Sequence, residues 1–454
     1  MRLLRNAQAE MDFIRSTTLK VVKEYRRKYE EVDRILDENP KILTALHRDL
    51  VGRLSESRNG RKSTYTSEQV LRSLIVMFVE GLSYRDVVVQ IENSEFLRQF
   101  VGLGVQPMMD FTFLSRAFGA IREETWEMLN RLLAEYAKDK EKISGEKLRI
   151  DTTAYETNIH YPTDASLLWD GFRTLARLLR QSKQEHPQLS GRYRFHDKKV
   201  KRSMLFITRN SKSQKKSVRR RIKTTYGKLV EQVERVLGIA CEVCGLVPWD
   251  DPARAELKHF IPLVERVVEQ TIRRVFEDEK VPASEKIYSL FEEHTELLIR
   301  GKARKEIEFG HMVLIGQTQE KFITQYEAMP ERVADKDWVD SVLASHKGLF
   351  GKPPKVFTTD KGFYESMKKI AQLEKEIETV SICKKGRRNR AEEEREHGEA
   401  FQAAQRFRAG VEGTISVLKR VFKLLRCLFK GFKNYTSSVG CAVFSHNLVL
   451  LART

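Results

Sequence analysis

The length, composition and charge of this chain limit what it can be. It has 454 residues, of which 41% are hydrophobic, and a formal net charge of +19. That length allows roughly three globular domains with at least one sizeable core, and the positive excess predicts a polyanionic partner, nucleic acid before membrane. No apolar run approaches the roughly 20 residues that a membrane span needs.

Cysteine usage points to a reducing compartment. The chain has five cysteines, which are few and odd in number. Cys241 and Cys244 form a lone CxxC pair, which we interpret as two thiols without a metal because a structural zinc ion needs two further ligands. We therefore expect a cytoplasmic protein, associated with DNA and not with a membrane.

Residues 1–64 are rich in charge, and apolar side chains recur at helical spacing within them. We predict one helix over Met11–Leu36, a break at Pro40 and a second helix over Ile42–Leu54. Ser55–Thr66 has the composition of a linker. This region is predicted to be a helical N-terminal segment.

A pair of helices joined by a short turn follows the linker. We predict a helix from Ser67 to Gly81 with Thr66 or Ser67 as its cap, and then a helix over Tyr84–Phe96 capped by Ser83. Two helices joined by a short turn that contains glycine are the helix-turn-helix pattern. Most such pairs are only packing units, so the pattern alone does not establish DNA binding.

The predicted strands follow this helical region, and one helical module separates the first strand from the others. Before this module we predict a third helix from Asp110 to Lys138 and a strand over Lys147–Asp151. The all-helical module over Asp164–Arg304 then interrupts the strands. After it we predict strands over Glu306–Gly316 and Lys321–Glu327, a helix over Trp338–Ser345, a strand over Lys355–Thr359 followed by Asp360, a helix over Glu365–Leu373 and a strand over Thr379–Cys383.

The last long helix is predicted over Phe401–Lys433. Its apolar residues recur at alternating steps of four and three, the pattern of one buried stripe; they are Val411, Ile415, Leu418, Phe422, Leu425 and Phe429. Arg408, Glu412 and Lys419 fall in one column beside that stripe, because each residue turns a helix by about 100°. An ordinary salt-bridged helix flank would show the same column.

The order of these elements is that of an RNase H-like sheet. We predict an α+β fold with an α/β core, in which a helical DNA-binding region precedes an RNase H-like catalytic sheet and an all-α insertion interrupts it. Asp151 would end the central strand, Asp360 would end its neighbour, and Glu412 would arrive on a helix packed beside them. Three carboxylates held together repel one another unless divalent cations neutralise them. Oxygen ligands suit two Mg²⁺ ions, or Mn²⁺ in their place, which can activate a water or a 3′-hydroxyl for phosphoryl transfer.

Three basic stretches stand out, and we predict contact with phosphate for the first and the third. Lys198–Lys228 carries thirteen Lys or Arg and no acid, and such one-sided charge repels itself unless a polyanion neutralises it. Lys384–Arg390 is followed at once by Glu392–Glu396 and is predicted to be a self-paired loop. The third stretch lies on the last helix. The residues predicted to bind DNA are Arg408, Lys419, Arg420, Lys423, Lys215, Lys216, Arg219, Arg220 and Arg221.

Together these motifs resemble a known family, the DDE transposases of bacterial insertion sequences, and most closely the ISNCY group. Arg408, Glu412 and Lys419 have the spacing of its R-x3-E-x6-K signature, although Gln405 stands where the family often has a tyrosine. The segments that carry the rest of the resemblance are Ile150–Asp164 and Thr358–Tyr364 around the two aspartates, and Gly81–Gly104 and Asp110–Ala117 in the N-terminal domain.

The resemblance implies that the chain binds the terminal inverted repeats of a transposon as a homodimer or larger assembly, cleaves them and joins them to target DNA. Asp151, Asp360 and Glu412 would hold the metal ions, and Arg408 and Lys419 would hold phosphates. The implied regions are a helical N-terminal region (1–64), a helix-turn-helix-like domain (65–145), the catalytic domain in two parts (146–163 and 305–454) and a basic helical insertion (164–304). An RNase H-like nuclease or resolvase, and a non-catalytic DNA-binding protein derived from a transposase, remain alternatives.

Overall fold

A computed structural model of the chain describes residues 4–5, 17–54, 64–187, 194–299 and 307–453. The chain forms two compact units, of which the first combines Met1–Glu156 with His311–Thr454 and the second is Thr157–Gly310. The predicted helix over Met11–Leu36 therefore lies partly outside the described residues, as does the predicted linker.

Seven helices open the first unit within the described residues. They are α1 (Lys20–Glu38), α2 (Pro40–Arg53), α3 (Ser67–Val79), α4 (Tyr84–Glu92), α5 (Glu95–Val101), α6 (Phe111–Ala120) and α7 (Glu123–Asp139). Pro40 is the first residue of α2, where its missing N–H costs nothing.

The predicted helix pair is present as α3 and α4. Thr66 caps α3 in a capping box with Gln69, Gly81 turns the chain with a positive φ of 63°, and Ser83 caps α4 as expected. The prediction of one helix through Phe96 was wrong, because Ser94 accepts a hydrogen bond from the backbone and caps a separate α5.

The prediction of one helix from Asp110 to Lys138 was also wrong, and a buried carboxylate is the reason. Asp110 caps α6 as predicted, but the chain bends at Arg122 and starts α7. Asp49 of α2, which is 3% exposed, accepts hydrogen bonds from the Arg122 backbone N–H at 2.9 Å and from the Thr125 hydroxyl. Asp49, which is distant in sequence, thus accepts a backbone N–H at the start of α7 that has no partner within the helix.

The strands form one mixed sheet, in agreement with the predicted mixed α/β composition. They are β1 (Lys147–Thr157), β2 (Glu296–Ile299), β3 (Ile307–Thr318), β4 (Ile323–Ala328), β5 (Val356–Thr358), β6 (Thr379–Ser381) and β7 (Arg426–Cys427). Their order is β2-β3-β1-β5-β6, with β4 paired to β3 and β7 paired to β1. β5 is parallel to both β1 and β6, whereas β3 is antiparallel to β2 and β4.

Two strand predictions need correction. β1 runs to Thr157, so Asp151 lies inside the strand and not near its end. The insertion is not all-helical, because β2 pairs with the first residues of β3, Glu296 opposite Gly310. β2 has the sequence ELLI, a short and mostly apolar segment that periodicity cannot distinguish from part of a helix.

The remaining helices of the first unit are α12 (Val339–Phe350), α13 (Met367–Leu373), α14 (Arg390–His397), α15 (Glu399–Arg420) and α16 (Phe432–Leu451). The predicted helix over Phe401–Lys433 was wrong beyond Arg420. The backbone N–H of Leu424 bonds to the Leu418 carbonyl, and Lys423 adopts a positive φ of 66°. A residue in the left-handed conformation is a common end to a helix, and Leu425 beyond it is exposed.

α16 is buried on nearly all sides and joins the N-terminal helices to the sheet. It packs against α3, α7 and β4. Two of its buried polar side chains bond to the backbone of the strands. The Asn447 amide accepts from the N–H of Ile323 at 3.0 Å and donates to its carbonyl at 2.8 Å. The Tyr435 hydroxyl donates to the Tyr155 carbonyl at 2.6 Å.

The second unit has its own hydrophobic core. Its helices are α8 (Asp164–Glu185), α9 (Asp197–Asn210), α10 (Lys216–Leu246) and α11 (Pro252–Val275). α8 packs against the other three. Among the described helices of both units, none combines the length and apolar character of a transmembrane span.

The tight packing of α16 gives a test of this fold. We expect Gly440→Ala to destabilise the first unit by about 1–3 kcal/mol through overpacking, because a Cβ there would lie 2.6 Å from Trp126 Cβ and 2.7 Å from the Tyr326 hydroxyl. Gly413→Ala on α15 is the matched control, because its Cβ would meet nothing within 4 Å. This substitution should increase the free energy of unfolding by up to about 1 kcal/mol. Thermal unfolding measures both; a Gly440→Ala protein at least as stable as the control would contradict this packing.

Candidate active site

Two of the predicted carboxylates are brought together by strand register. In the parallel pair of β1 and β5, Arg149 lies opposite Thr358. Asp151 lies two residues after Arg149, and Asp360 lies two residues after Thr358. The two aspartates are therefore at the same level along the two strands. Because neighbouring parallel strands are about 4.8 Å apart, the two residues lie side by side at the edge where the pairing of β1 with β5 ends. The predicted adjacency of these two strands is confirmed.

Each aspartate is held by the backbone that follows it. Oδ1 of Asp151 accepts the N–H of Thr152 at 2.7 Å. Oδ1 of Asp360 accepts the N–H of Gly362 at 2.7 Å, which makes Asp360 the cap of a short 3-10 turn, Lys361–Phe363. These bonds fix one oxygen of each carboxylate and so fix the direction of the other.

Glu412 lies on α15 and is joined to Asp151 through an arginine. Nη2 of Arg408 is 3.5 Å from Oε1 of Glu412, and Nη1 of the same guanidinium is 3.9 Å from Oδ2 of Asp151. The Arg408 side chain is 20% exposed, whereas that of Glu412 is 69% exposed. The cation thus lies between the two carboxylates and reduces their repulsion.

The predicted carboxylates do not converge as closely as a bound ion would require. Within the described residues, the one group of three potential ligands whose atoms all lie within 4.8 Å of one another is Glu185, His186 and Asp251, in the second unit. There the His186 ring pairs directly with Asp251, which also caps α11, so the group is accounted for as a helix-end ion pair. Cys241 and Cys244 are both free thiols.

Gln405 shows how α15 is attached to the sheet. Its Nε2 donates to the carbonyls of Thr359, at 3.3 Å, and of Ser381, at 3.0 Å. The Thr359 carbonyl lies just after β5, and the Ser381 carbonyl belongs to the last residue of β6. At the ends of strands the sheet does not provide a hydrogen-bond partner for every backbone group. The amide that replaces the tyrosine of the resembled family therefore fixes α15 one turn before Arg408.

A fourth carboxylate, Asp335, lies at the same place and was missed by the sequence analysis. Its Oδ1 accepts the Thr152 hydroxyl at 3.2 Å. Its Oδ2 lies 2.8 Å, and Oδ1 of Asp360 2.7 Å, from the position that a Cβ would take at Gly362. Burial, and then repulsion from Asp360, raises the pKa of Asp335 above its usual value. Nothing in the charged loop around Asp335 distinguishes it from Asp337 by sequence.

A buried arginine, also missed, links the central strand to α15. Arg149 of β1 is 4% exposed and donates from Nε to Oε1 of Gln317 at 2.8 Å and from Nη1 to the Phe407 carbonyl at 2.6 Å. Gln317 of β3 in turn donates to the Thr414 hydroxyl at 2.8 Å. Burial lowers the pKa of Arg149 to about 10. Gly410 lies against the guanidinium, and a Cβ there would collide with it.

The predicted DNA-binding cations after Glu412 have different surroundings. Lys419 is half-buried on α15, and Arg420 is exposed at its end. Lys423 donates from its ammonium to the Leu82 carbonyl in the turn between α3 and α4, and burial lowers its pKa to about 8. In this conformation Lys423 connects α15 to the helix pair.

The basic residues of the second unit are exposed at the start of α10. Lys215, Lys216, Arg219, Arg220 and Arg221 all lie on the surface, and none of them is ion-paired with a carboxylate in the described part of the chain. Positive charge at a helix N-terminus is unfavourable, and of these five residues Arg221 also contacts an aromatic ring, that of Phe206, at 4.7 Å. Lys384–Arg390, by contrast, is self-paired as predicted: Lys384 and Arg388 contact Glu392 and Glu396.

Comparison with known proteins bears on the N-terminal helices. Residues 18–119 match a transposase domain. The family model, described as Transposase domain (DUF772), spans α1 to α6 and includes both N-terminal segments that carry the resemblance noted above. The match supports a transposase family, and with it a DNA-processing enzyme that binds DNA. No curated protein and no solved structure matches the chain.

The arginine link predicts a specific instability. Arg149→Met should destabilise the first unit by about 3 kcal/mol, because it leaves the Gln317 and Phe407 oxygens buried without donors. Arg426→Met is the control, since Arg426 is 49% exposed in its pair with Glu156 and such pairs contribute under about 1 kcal/mol. Urea unfolding compares the two, and equal losses would show that Arg149 is not a buried link.

Proposed function

We propose that the chain is a DDE transposase that cleaves the ends of an insertion sequence and joins them to target DNA. The observation that carries this proposal is the parallel register of β1 and β5, after which Asp151 and Asp360 each follow by two residues, together with the contacts of Arg408 to Asp151 and Glu412. The strand order, with β1 between β3 and β5, supports the RNase H-like core that the proposal requires. The transposase-domain match at residues 18–119 supports the family.

The donors at this edge have the chemistry that suits Mg²⁺ or Mn²⁺, although they are spaced more widely in this structure than a bound ion requires. All of its candidate ligands are carboxylates, the hard oxygen donors that these ions prefer, and oxygens of Asp335 and Asp360 both lie within 2.8 Å of the position that a Cβ would take at Gly362. Asp151, Asp360 and Glu412 would hold two ions, with Asp335 beside them. The ions would neutralise charge and favour in-line attack on a phosphate.

The protein's own groups would position the site and the DNA. Arg408 contacts both Asp151 and Glu412, so it holds the third carboxylate toward the first. Lys419, two turns beyond Glu412 on α15, would contact a phosphate of the transposon end, and Arg420 would extend that contact. The pair α3 and α4 would read the terminal repeat as a helix-turn-helix. Assembly as a homodimer or larger complex would bring two ends together.

Two other functions make different predictions. A metal-dependent RNase H-like nuclease or resolvase would cleave but would not join a 3′-hydroxyl end to a second duplex. A non-catalytic protein derived from a transposase would bind DNA without either reaction. An assay that scores both cleavage of DNA flanking the coding sequence and joining of the product to a plasmid separates all three.

The three predicted ligands give the first test of the chemistry. Asp151→Asn, Asp360→Asn and Glu412→Gln should each lower Mg²⁺-dependent cleavage more than about 100-fold. Binding of the same DNA should stay nearly unchanged, because no cation that contacts phosphate is removed. Glu399→Gln, an exposed acid at the start of the same helix α15, should cleave normally. Normal cleavage by any of the three variants would remove that residue from the site.

The exposed cations of α10 give a second test. Replacing Arg219, Arg220 and Arg221 together by Gln should weaken binding to terminal and random DNA alike, and should reduce the slope of log affinity against log salt by about 3. The matched control replaces Arg34, Arg131 and Arg390, exposed arginines that pair with acids on their own helices. An equal change of slope in both proteins would show that α10 does not contact DNA specifically through these residues.

A further inference from the structure

A group of exposed cations lines a pocket beside the candidate active site. The pocket has a volume of about 400 Å³ and lies where the segment before α12 meets the turn after β5. We call it the Asp335 pocket. Three basic side chains line it, those of Arg332, Lys336 and Lys385, together with Asp335 and Gly362, and its other lining residues are apolar. None of the three cations is among the predicted DNA-binding residues.

The protein does not use these three charges in ion pairs. All three side chains lie on the surface, and within the described ranges none of them forms an ion pair with a carboxylate. Lys385 differs in this from Lys384 and Arg388 of the same basic stretch, which pair with glutamates. The lining carries three positive charges and one negative charge, so the pocket is cationic although it adjoins a group of carboxylates.

Two observations place the cations close to those carboxylates. Nζ of Lys385 donates to the Gly362 carbonyl at 2.8 Å, and Gly362 belongs to the turn that Asp360 caps. An ammonium group has three N–H donors, so this bond leaves two of them for a ligand. Burial, and then repulsion from Asp360, raises the pKa of Asp335, whereas the positive charges of Lys385 and Arg332 lower it. Both cations therefore act electrostatically on the edge of the candidate site.

The pocket lies on the side of β1 that faces away from α15. Successive residues of a strand point to opposite faces of the sheet. Asp151 contacts Arg408 of α15, whereas the next residue, Thr152, donates from its hydroxyl to Asp335 at 3.2 Å. Ile150, which shares its face with Thr152, belongs to the same hydrophobic core as residues of α12. The candidate site therefore has α15 on one side and the Asp335 pocket on the other.

Phosphate is the anion that such a pocket suits. Guanidinium and ammonium groups donate N–H bonds to phosphate oxygens, and exposed cations are what proteins use to contact the DNA backbone. A DNA strand that is cut at the carboxylates must continue past them in both directions, and Lys419 and Arg420 of α15 would hold the transposon end. We propose that the Asp335 pocket binds a backbone phosphate on the other side of the scissile bond, in flanking DNA during cleavage and in target DNA during joining. The choice of these DNA segments rests on the proposed transposase function.

Two double variants of the full chain test the proposal. Arg332→Gln with Lys385→Gln removes two cations of the pocket and is called the pocket variant. Lys375→Gln with Arg390→Gln is the matched control, because it removes two exposed cations that do not line the pocket. All four side chains lie on the surface, so both proteins should unfold within a few degrees of wild type. A thermal melt checks this and excludes a folding defect.

Binding is measured by fluorescence anisotropy without divalent metal, so that no DNA is cleaved. One duplex stops at the cleavage site that the wild-type protein defines, and a second duplex continues one helical turn beyond it. For the longer duplex we expect the slope of log affinity against log salt to fall by about 2 in the pocket variant, one for each lost phosphate contact. Binding of the shorter duplex should match that of the control, because the pocket would not contact it.

Joining of the shorter duplex to a supercoiled plasmid in the presence of Mg²⁺ tests the contact with target DNA. At low plasmid concentration, we expect the pocket variant to form joined product about tenfold more slowly than the control. A higher plasmid concentration should restore part of that rate, because the lost contact binds the target and takes no part in the chemical step. A loss in this assay alone would identify target DNA as the ligand, and a loss in the binding assay alone would identify flanking DNA.

The proposal is wrong if the pocket variant equals the control in both assays. It is also wrong if the salt slope falls equally on the shorter duplex, which would place the pocket on the transposon side. A wild-type protein that binds DNA without cleaving or joining it would refute the transposase function instead. The phosphate site is then judged on a random-sequence duplex, where a slope lower by about 2 supports it and a slope equal to that of the control overturns it.

Discussion

The buried guanidinium of Arg149 is the interaction on which the geometry of the candidate site depends. It joins β1, β3 and α15, because Gln317 and the Phe407 carbonyl accept its N–H groups and Gln317 passes the link to Thr414. Arg149 precedes Asp151 by two residues on the same face of β1, and Thr414 follows Glu412 by two on α15. A single network of buried hydrogen bonds therefore sets both the height and the rotation of α15 relative to the strand that carries Asp151.

The site also balances like charges with unlike ones in a way that suits a cation-dependent enzyme. Asp335 and Asp360 are close neighbours, and a small residue at Gly362 is needed for both to fit. Arg408 offsets part of that charge from the side of α15. Such an arrangement is costly for stability alone, which is why we interpret it functionally. The shared core of α16 with α3 and α7 places the matched transposase domain and this sheet edge in one compact unit.

Much of the fold could be predicted because its signals are local. The caps at Thr66, Ser83 and Asp110 are side chains that bond to the backbone within the next three residues, so sequence alone places them. The strand pair that brings Asp151 and Asp360 together was also predicted, because short apolar strands followed by an acid stand out between helical patterns. The column of Arg408 and Glu412 follows from helix geometry, and the structure pairs these two side chains directly.

The sequence by itself determined which residues could meet: two strand-borne aspartates, a helix-borne glutamate one turn from an arginine, and an excess of positive charge. Tertiary structure alone decided where elements stop and which distant groups complete them. Asp49 bonds to the start of α7 from another helix, and the contact of Lys423 with Leu82 lies beyond the end of α15. Asp335 reaches Asp360 from the start of a 3-10 turn, Asp335–Trp338. Periodicity and capping report only bonds between near neighbours in the chain, whereas these contacts depend on how buried polar groups find partners once the elements are packed.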